Sequence, residues 1–187
     1  MSFFTGHGDG GTTKLFDTPS GARISKSSTI FECLGQLDEL NSIVGWARVA
    51  ASSHVVAEGK TNKKILREIQ DFLFTIQAEV AGAPKSVPHE SVTEMSALIT
   101  TIESQLPEVK TFLVAGGDEF ASRLDIARAI ARRAERRLVT LHESGDREIS
   151  EHSRAYMNRL SSLLYALTRW ENYTSGIIEE PPHYKDA

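Results

Sequence analysis

The stretch Ser27-Ser28-Thr29-Ile30-Phe31-Glu32-Cys33-Leu34-Gly35-Gln36-Leu37-Asp38-Glu39-Leu40-Asn41-Ser42-Ile43-Val44-Gly45-Trp46-Ala47 decides the fold. Ile30, Leu34, Leu37, Leu40, Val44 and Ala47 recur at steps of three and four, the spacing of one helical face, and predict a helix over 28–52. The same period recurs downstream. Ile65, Ile69, Phe72, Ile76 and Val80 predict a helix over 62–81. Ser91-Val92-Thr93-Glu94 reads as a capping box opening a third, whose stripe Val92, Met95, Leu98, Ile99, Ile102 and Leu106 stops before Pro107. Asp118 can cap a fourth that ends at Ser144-Gly145. Ser150 can cap a fifth with Tyr156, Leu160, Leu163, Leu164, Leu167 and Trp170 inward. No strand of usable length is expected after residue 26, and no internal repeat is present. Five helices with mostly short connections predict an all-α fold, an antiparallel five-helix bundle.

The 187 residues suit one domain, expected as an N-terminal segment over 1–26, the bundle over 27–176 and a tail over 177–187. Apolar residues at 40% and charged residues at 25% are the proportions of a globular chain rather than a disordered one. A single cysteine, Cys33, excludes a disulfide framework and a Cys-based metal site within one subunit. No apolar run approaches the ~18 residues of a membrane span. No charged start followed by an apolar core reads as a secretory signal, so the expected location is the cytoplasm. A net charge of -4 does not favour nucleic acid as a partner.

Chemistry concentrates in a few places. Thr5-Gly6-His7-Gly8-Asp9-Gly10-Gly11-Thr12-Thr13 holds four glycines and three threonines without helical period. Successive free N–H groups there can wrap phosphates; the plain alternative is an ordinary terminal turn. It is not a P-loop, because Thr12-Thr13 stands where Lys-[Ser/Thr] is needed and no strand precedes it. Arg123, Arg128, Arg132, Arg133, Arg136 and Arg137 crowd the fourth helix, with Arg128, Arg132, Glu135 and Arg136 on one face. That face suits either a small polyphosphate or solvent and local ion pairs. Gly35, Asp38, Ser42 and Gly45 form a small polar stripe on the first helix, fit for close approach of another helix or for solvent. Phe112-Leu113-Val114-Ala115-Gly116-Gly117 can carry a phenyl ring into a neighbouring cavity or anchor a buried loop, and Asn158 sits between Arg154 and Arg159. A di-iron carboxylate centre is excluded: the one Glu-x-x-His spacing, Glu180–His183, spans Pro181-Pro182.

Four of these blocks, in order, resemble the PduO-type ATP:cob(I)alamin adenosyltransferases over nearly the whole chain. They are Thr5 to Thr12; Arg23-Ile24-Ser25-Lys26 with Gly35 to Ser42; Phe112 to Gly117 leading into Arg128 and Arg132 to Arg136; and Tyr156-Met157-Asn158-Arg159-Leu160-Ser161. The resemblance implies a ferritin-like five-helix bundle, a homotrimer with active sites between subunits, and transfer of the 5′-deoxyadenosyl group of ATP to Co(I) of cobalamin, leaving triphosphate. Magnesium accompanies the nucleotide, and no residue is assigned as a metal ligand. By matching position, Thr5, Gly6, Gly8, Asp9, Gly11 and Thr12 would wrap the ATP phosphates and Lys26 would add charge. Arg132 would bind triphosphate oxygens, with Glu135 and Asn158 orienting ATP. Asp38 and Arg128 would pair across the subunit interface, and Phe112 would fill the space under the corrin ring and displace its lower ligand. An adenosylcobalamin-dependent acceptor enzyme is the implied protein partner.

Three positions depart from the family pattern: Ser162 where Asp often follows Leu-Ser, Ala115 where Pro precedes the glycine pair, and Asp125 where His is frequent. They leave open a non-catalytic ATP and corrinoid carrier or sensor, which would bind both ligands without releasing triphosphate. A structural helical module with a solvated arginine face is the third reading.

Overall fold

The computed structural model describes residues 4–184, so the first three residues of the expected 1–26 segment and the last three of the 177–187 tail lie outside it. Its elements are β1 (Thr12–Thr13), β2 (Ile24–Ser25), α1 (Thr29–Ala50), β3 (Val55–Ala57), β4 (Lys60–Thr61), α2 (Asn62–Val80), α3 (His89–Glu103), α4 (Glu119–Glu143) and α5 (Glu151–Thr174). All five predicted helices form, with their apolar stripes turned inward: Leu37, Leu40, Val44, Ile69, Ile76, Ile102, Leu138, Leu160 and Leu164 are buried. Burial of these stripes against one another is the main stabilising term, since isolated helices of this length are marginal in water.

Helix α1 packs between α2 and α4, and α5 packs between α4 and α3. Polar pairs fix the directions. Arg133 of α4 meets Gln36 of α1, while Arg123 donates to the carbonyl of Trp46, so the two helices run antiparallel. Glu135–Asn158 and Asp118–Asn172 make α4 and α5 antiparallel as well. Val87–Ser153 and Ser96–Arg159 advance together, so α3 lies parallel to α5. The helices thus alternate up and down along the chain.

Caps decide most boundaries. The side chains of Asp118 and Ser150 accept from the N–H groups of Ala121 and Ser153, as their sequence positions predict. Helix α3 differs: it starts at His89 behind Pro88, and Ser91 lies inside it rather than at its cap. Val87 is buried, with its N–H donated to Ser153 Oγ at 3.2 Å, and Pro88 fixes the next φ at -65°. The buried anchor and the proline ring bring the chain into the helix before the Ser91 box can act. The hairpin β3–β4 was not expected from the sequence. It turns on Glu58 and Gly59, both at positive φ, which is the two-residue turn suited to strand twist. Val56 and Ala57 of β3 are buried against the bundle.

Candidate functional site

Helix α4 brings Asp125, Arg128, Arg132 and Glu135 onto one face, at steps of three and four. Arg128 and Arg132 line a cavity of about 760 Å³ with Ser161, Ser162 and Tyr165 of α5 and the loop Val109 to Leu113. Phe112 stands at its rim, 81% exposed. Arg128 Nε donates to Asp125 Oδ1 at 3.1 Å, and its guanidinium lies 5.9 Å from the Tyr165 ring centroid. Arg132 differs from its neighbours. Among the described residues its guanidinium has no hydrogen-bond or ion-pair partner, so its donor fork is open to an anion. One turn on, Asn158 Nδ2 donates to Glu135 Oε1 at 2.8 Å, joining the two helices beside Arg132. Three of the other arginines are used locally: Arg133 makes a two-oxygen contact with Glu39 at 2.8 Å, Arg123 pairs with Glu119 and stacks 4.2 Å from the Trp46 ring, and Arg136 donates to Arg132 O at 3.0 Å. Arg137, like Arg132, has no such partner among the described residues but does not line the cavity.

The glycine-rich segment forms a second centre. Asp9 N donates to Gly6 O and Gly11 N to Gly8 O, making two consecutive tight turns in which Gly6 and Gly11 take positive φ. Thr12 and Thr13 form β1, paired with Ile24 and Ser25 of β2, so the segment is a hairpin. Lys26 Nζ reaches into the turn and donates to Gly8 O at 2.9 Å; a Cβ at Gly8 would stand 2.9 Å from that nitrogen. Arg23 fastens the hairpin by donating to His7 O, Thr12 O and Thr12 Oγ1 at 2.6–2.7 Å. Thr5 accepts from His7 N at 3.5 Å. Asp9 is exposed at the turn.

Two further links hold this hairpin to the bundle. Phe16 N donates to Ala81 O, and Asp17 forms an ion pair with Arg147 at 2.5 Å. The Arg147 hydrogen bond holds the Asp17 carboxyl below its ordinary range. The Asp17 carboxylate lies over Gly82, where a Cβ would fall 2.3 Å from Asp17 Cγ.

The structure therefore collects the sequence candidates in separate places. Thr5, Gly6, Gly8, Asp9, Gly11, Thr12 and Lys26 meet in the hairpin; Phe112, Arg128 and Arg132 meet at the cavity, with Glu135 and Asn158 beside it. Residues 5–26 contribute nothing to the cavity lining of their own subunit. Beyond the hairpin, Thr29 bonds Asp146 past the far end of α4, and Arg132 lies about 16 Å along that helix from its last residue, at 1.5 Å per residue. Asp38 is not beside Arg128 either. It is exposed on α1 within an open apolar groove edged by Phe31, Leu34, Gly35 and Phe74.

Three residues act at these centres without having been singled out for it. Asp125, noted only as a departure, is 9% exposed, and its second oxygen accepts from Gly116 N at 3.0 Å. Asn172 is buried under the glycine pair. Arg23 stood in a quoted block, but sequence alone did not reveal its three bonds. No cluster of three His, Cys, Asp or Glu side chains able to hold a metal occurs among the described residues.

The sequence pattern of the cobalamin adenosyltransferase family matches residues 3–171. The chain is 38% identical over 180 residues to the corrinoid adenosyltransferase PduO of Citrobacter freundii, covering 92% of this chain but 50% of that protein, so it spans half of that relative's length. It is also 38% identical over 181 residues to a corrinoid adenosyltransferase of Bacillus subtilis, covering 95% of this chain and 90% of the relative. A variant PduO-type ATP:corrinoid adenosyltransferase from Lactobacillus reuteri, solved with cobalamin and ATP, superposes with a TM-score of 0.86 at 27% identity, over 98% of this chain and 100% of the other.

Proposed function

Because this chain belongs to the cobalamin adenosyltransferase family, we propose that it transfers the 5′-deoxyadenosyl group of ATP to Co(I) of a cobalamin or related corrinoid. The electron pair of the new cobalt–carbon bond comes from the Co(I) substrate. The C5′–O bond breaks, and its electrons leave with triphosphate. The nucleophile arrives with the substrate, so the protein supplies position and charge rather than a Ser, Cys or His for attack.

The observation that carries this reading is Arg132: a guanidinium with no partner among the described residues, in a cavity whose rim bears Phe112. Arg132 would take the charge that develops on the departing triphosphate, through charge-assisted bonds to its oxygens. Glu135 and Asn158, already bonded to each other, would orient the nucleotide. Thr5, Gly6, Gly8, Asp9, Gly11 and Thr12 would wrap the phosphates, with Lys26 exchanging Gly8 O for a phosphate oxygen. Phe112 would enter the space beneath the corrin ring. Magnesium would complete the phosphate charge balance; it binds through phosphates and one or two carboxylates, and the exposed Asp9 is the carboxylate of the hairpin that fits this use.

The hairpin and the arginine cavity lie apart in one subunit, which supports a composite site made by two copies of a homotrimer. In that arrangement Asp38 of one subunit meets Arg128 of the next, and the apolar groove around Asp38 is covered. Residues 1–26 are then the ATP-binding segment, 27–176 the bundle and 177–187 the tail. The reaction is assigned to the cytoplasm, where an adenosylcobalamin-dependent enzyme accepts the product.

Incubation with ATP, Mg²⁺ and chemically reduced cobalamin should produce the absorption spectrum of adenosylcobalamin with stoichiometric triphosphate. Binding of ATP and corrinoid with no spectral change would overturn catalysis in favour of a carrier, the reading that the Ser162 and Asp125 departures motivate. Absence of ATP binding would leave a helical interaction module.

A further inference from the structure

The loop that presents Phe112 is anchored at its two ends and free between them. At its start, Pro107 O accepts from Arg169 Nη2 at 3.2 Å. At its end, Val114 N donates to Glu180 O at 2.9 Å and Gly116 O accepts from Asn172 Nδ2 at 2.9 Å, while Asp118 N approaches Asn172 Oδ1 at 3.4 Å. From Val109 to Leu113 the described residues make no hydrogen bond, so this span arches over the cavity held only by its ends.

One anchor at each end, Arg169 and Asn172, converges on a single carboxylate, while Gly116 N is held separately by Asp125 Oδ2 at 3.0 Å. Glu179 Oε2 accepts from Arg169 Nε at 2.5 Å, and Glu179 Oε1 accepts from Asn172 Nδ2 at 3.2 Å. Arg169 and Asn172 are 7% and 1% exposed. Gly176, at a φ of +70°, reverses the chain after α5, and Ile177 N donates to Asn172 O at 2.8 Å, which returns the tail across the helix to reach them. The fit is close. A Cβ at Gly117 would stand 1.9 Å from Asn172 Oδ1, so the second glycine of the loop is required by the side chain beneath it.

We propose that Glu179 is a positioning residue for the corrinoid substrate: by holding Arg169 and Asn172 together it fixes both ends of the Phe112 loop and sets how far the arch stands off the cavity. This deepens the adenosyltransferase reading and rests on it. Glu179 touches no reacting atom. It acts through a side-chain strap whose loss frees the corrinoid side of the site and leaves the glycine-rich hairpin untouched, because that hairpin shares no hydrogen bond with the strap.

The test compares wild type, Glu179→Ala and Glu179→Gln in the full chain. In Glu179→Ala, exchange of the Val114 amide should rise and the KM for cobalamin should increase about tenfold, the scale of one lost charge-assisted hydrogen bond, while the KM for ATP stays level. Glu179→Gln keeps one acceptor of the two and should fall between. Amides of the α1 core serve as the internal reference for folding. Unchanged Val114 exchange, or equal rises in both KM values, would overturn the strap. If wild type itself transfers no adenosyl group, the functional reading fails, and the exchange measurement with a cobalamin titration decides the strap alone.

Discussion

Asp125→Ala should cost the protein a measurable part of its stability and loosen the Phe112 side of the cavity. The carboxylate is 9% exposed and serves two donors, Gly116 N at 3.0 Å and Arg128 Nε at 3.1 Å. A hydrogen bond from a backbone N–H to a charged acceptor contributes about 1.5–3 kcal/mol. The Arg128 side chain keeps 30% of its exposure, so its pair is discounted to the surface value of roughly 0.2–1 kcal/mol. The sum is about 2–4 kcal/mol, which for a chain of this size lowers Tm by roughly 4–16 °C. Asp125→Asn keeps one acceptor and turns an amide N–H₂ toward Arg128 or Gly116, so its loss should be smaller. Asp125→His places at this position the residue frequent in the family; a neutral imidazole has one acceptor nitrogen and can serve only one of the two donors. Thermal melts of the three variants at one pH test the order. A Tm for Asp125→Ala within about 2 °C of wild type, or below it no further than Asp125→Asn, would refute the view that this carboxylate ties the loop to α4.

Other outcomes follow from the same geometry. Arg132→Ala should lower kcat/KM by about 10- to 100-fold, the range for losing hydrogen bonds to a charged phosphate, with Tm unchanged because the guanidinium has no partner among the described residues; a stability loss would show a structural role instead. Asp38→Ala and Arg128→Ala, combined in a double-mutant cycle read by activity and assembly mass, should show a coupling of about 1 kcal/mol; additive losses would rule out their pairing between subunits. Phe112 is 81% exposed, so Phe112→Ala should change stability by no more than about 0.5 kcal/mol. A phenyl ring that displaces the lower ligand of a Co(II) corrinoid removes an axial donor and makes reduction to Co(I) easier. The variant should therefore slow an assay started from Co(II) and a reductant more than one supplied with prereduced Co(I), and equal losses in both would assign Phe112 to packing. Finally, the Asp17–Arg147 pair contributes stability that is complete above the ordinary carboxylate range and is lost as pH falls through the lowered folded value. The melting difference between wild type and Asp17→Asn should therefore close in acid; a difference that widens there would contradict the pairing.

The helices were legible because their cause is local. A stripe such as Leu37, Leu40 and Val44 repeats within a few residues, and Asp118 and Ser150 cap groups only three positions away. A local signal lost where a tertiary contact or a firmer local constraint opposed it: the Ser91 box yielded to Val87, buried and bonded to Ser153, and to the ring of Pro88, and the short β3–β4 hairpin exists because the bundle covers Val56 and Ala57. Site residues were readable one block at a time, as residue types suited to phosphate or to a ring. Their partnerships were not. Asp17 meets Arg147 across 130 positions, Asn158 meets Glu135 across 23, and Gly117, in the loop before α4, is a glycine because Asn172 of α5 fills the space beside it. By itself, then, the sequence determined five amphipathic helices, their alternating order and the chemical vocabulary of the site. Only the tertiary structure decided which donor faces which acceptor, because that depends on where the far ends of packed helices come to rest, and no short-range pattern encodes it.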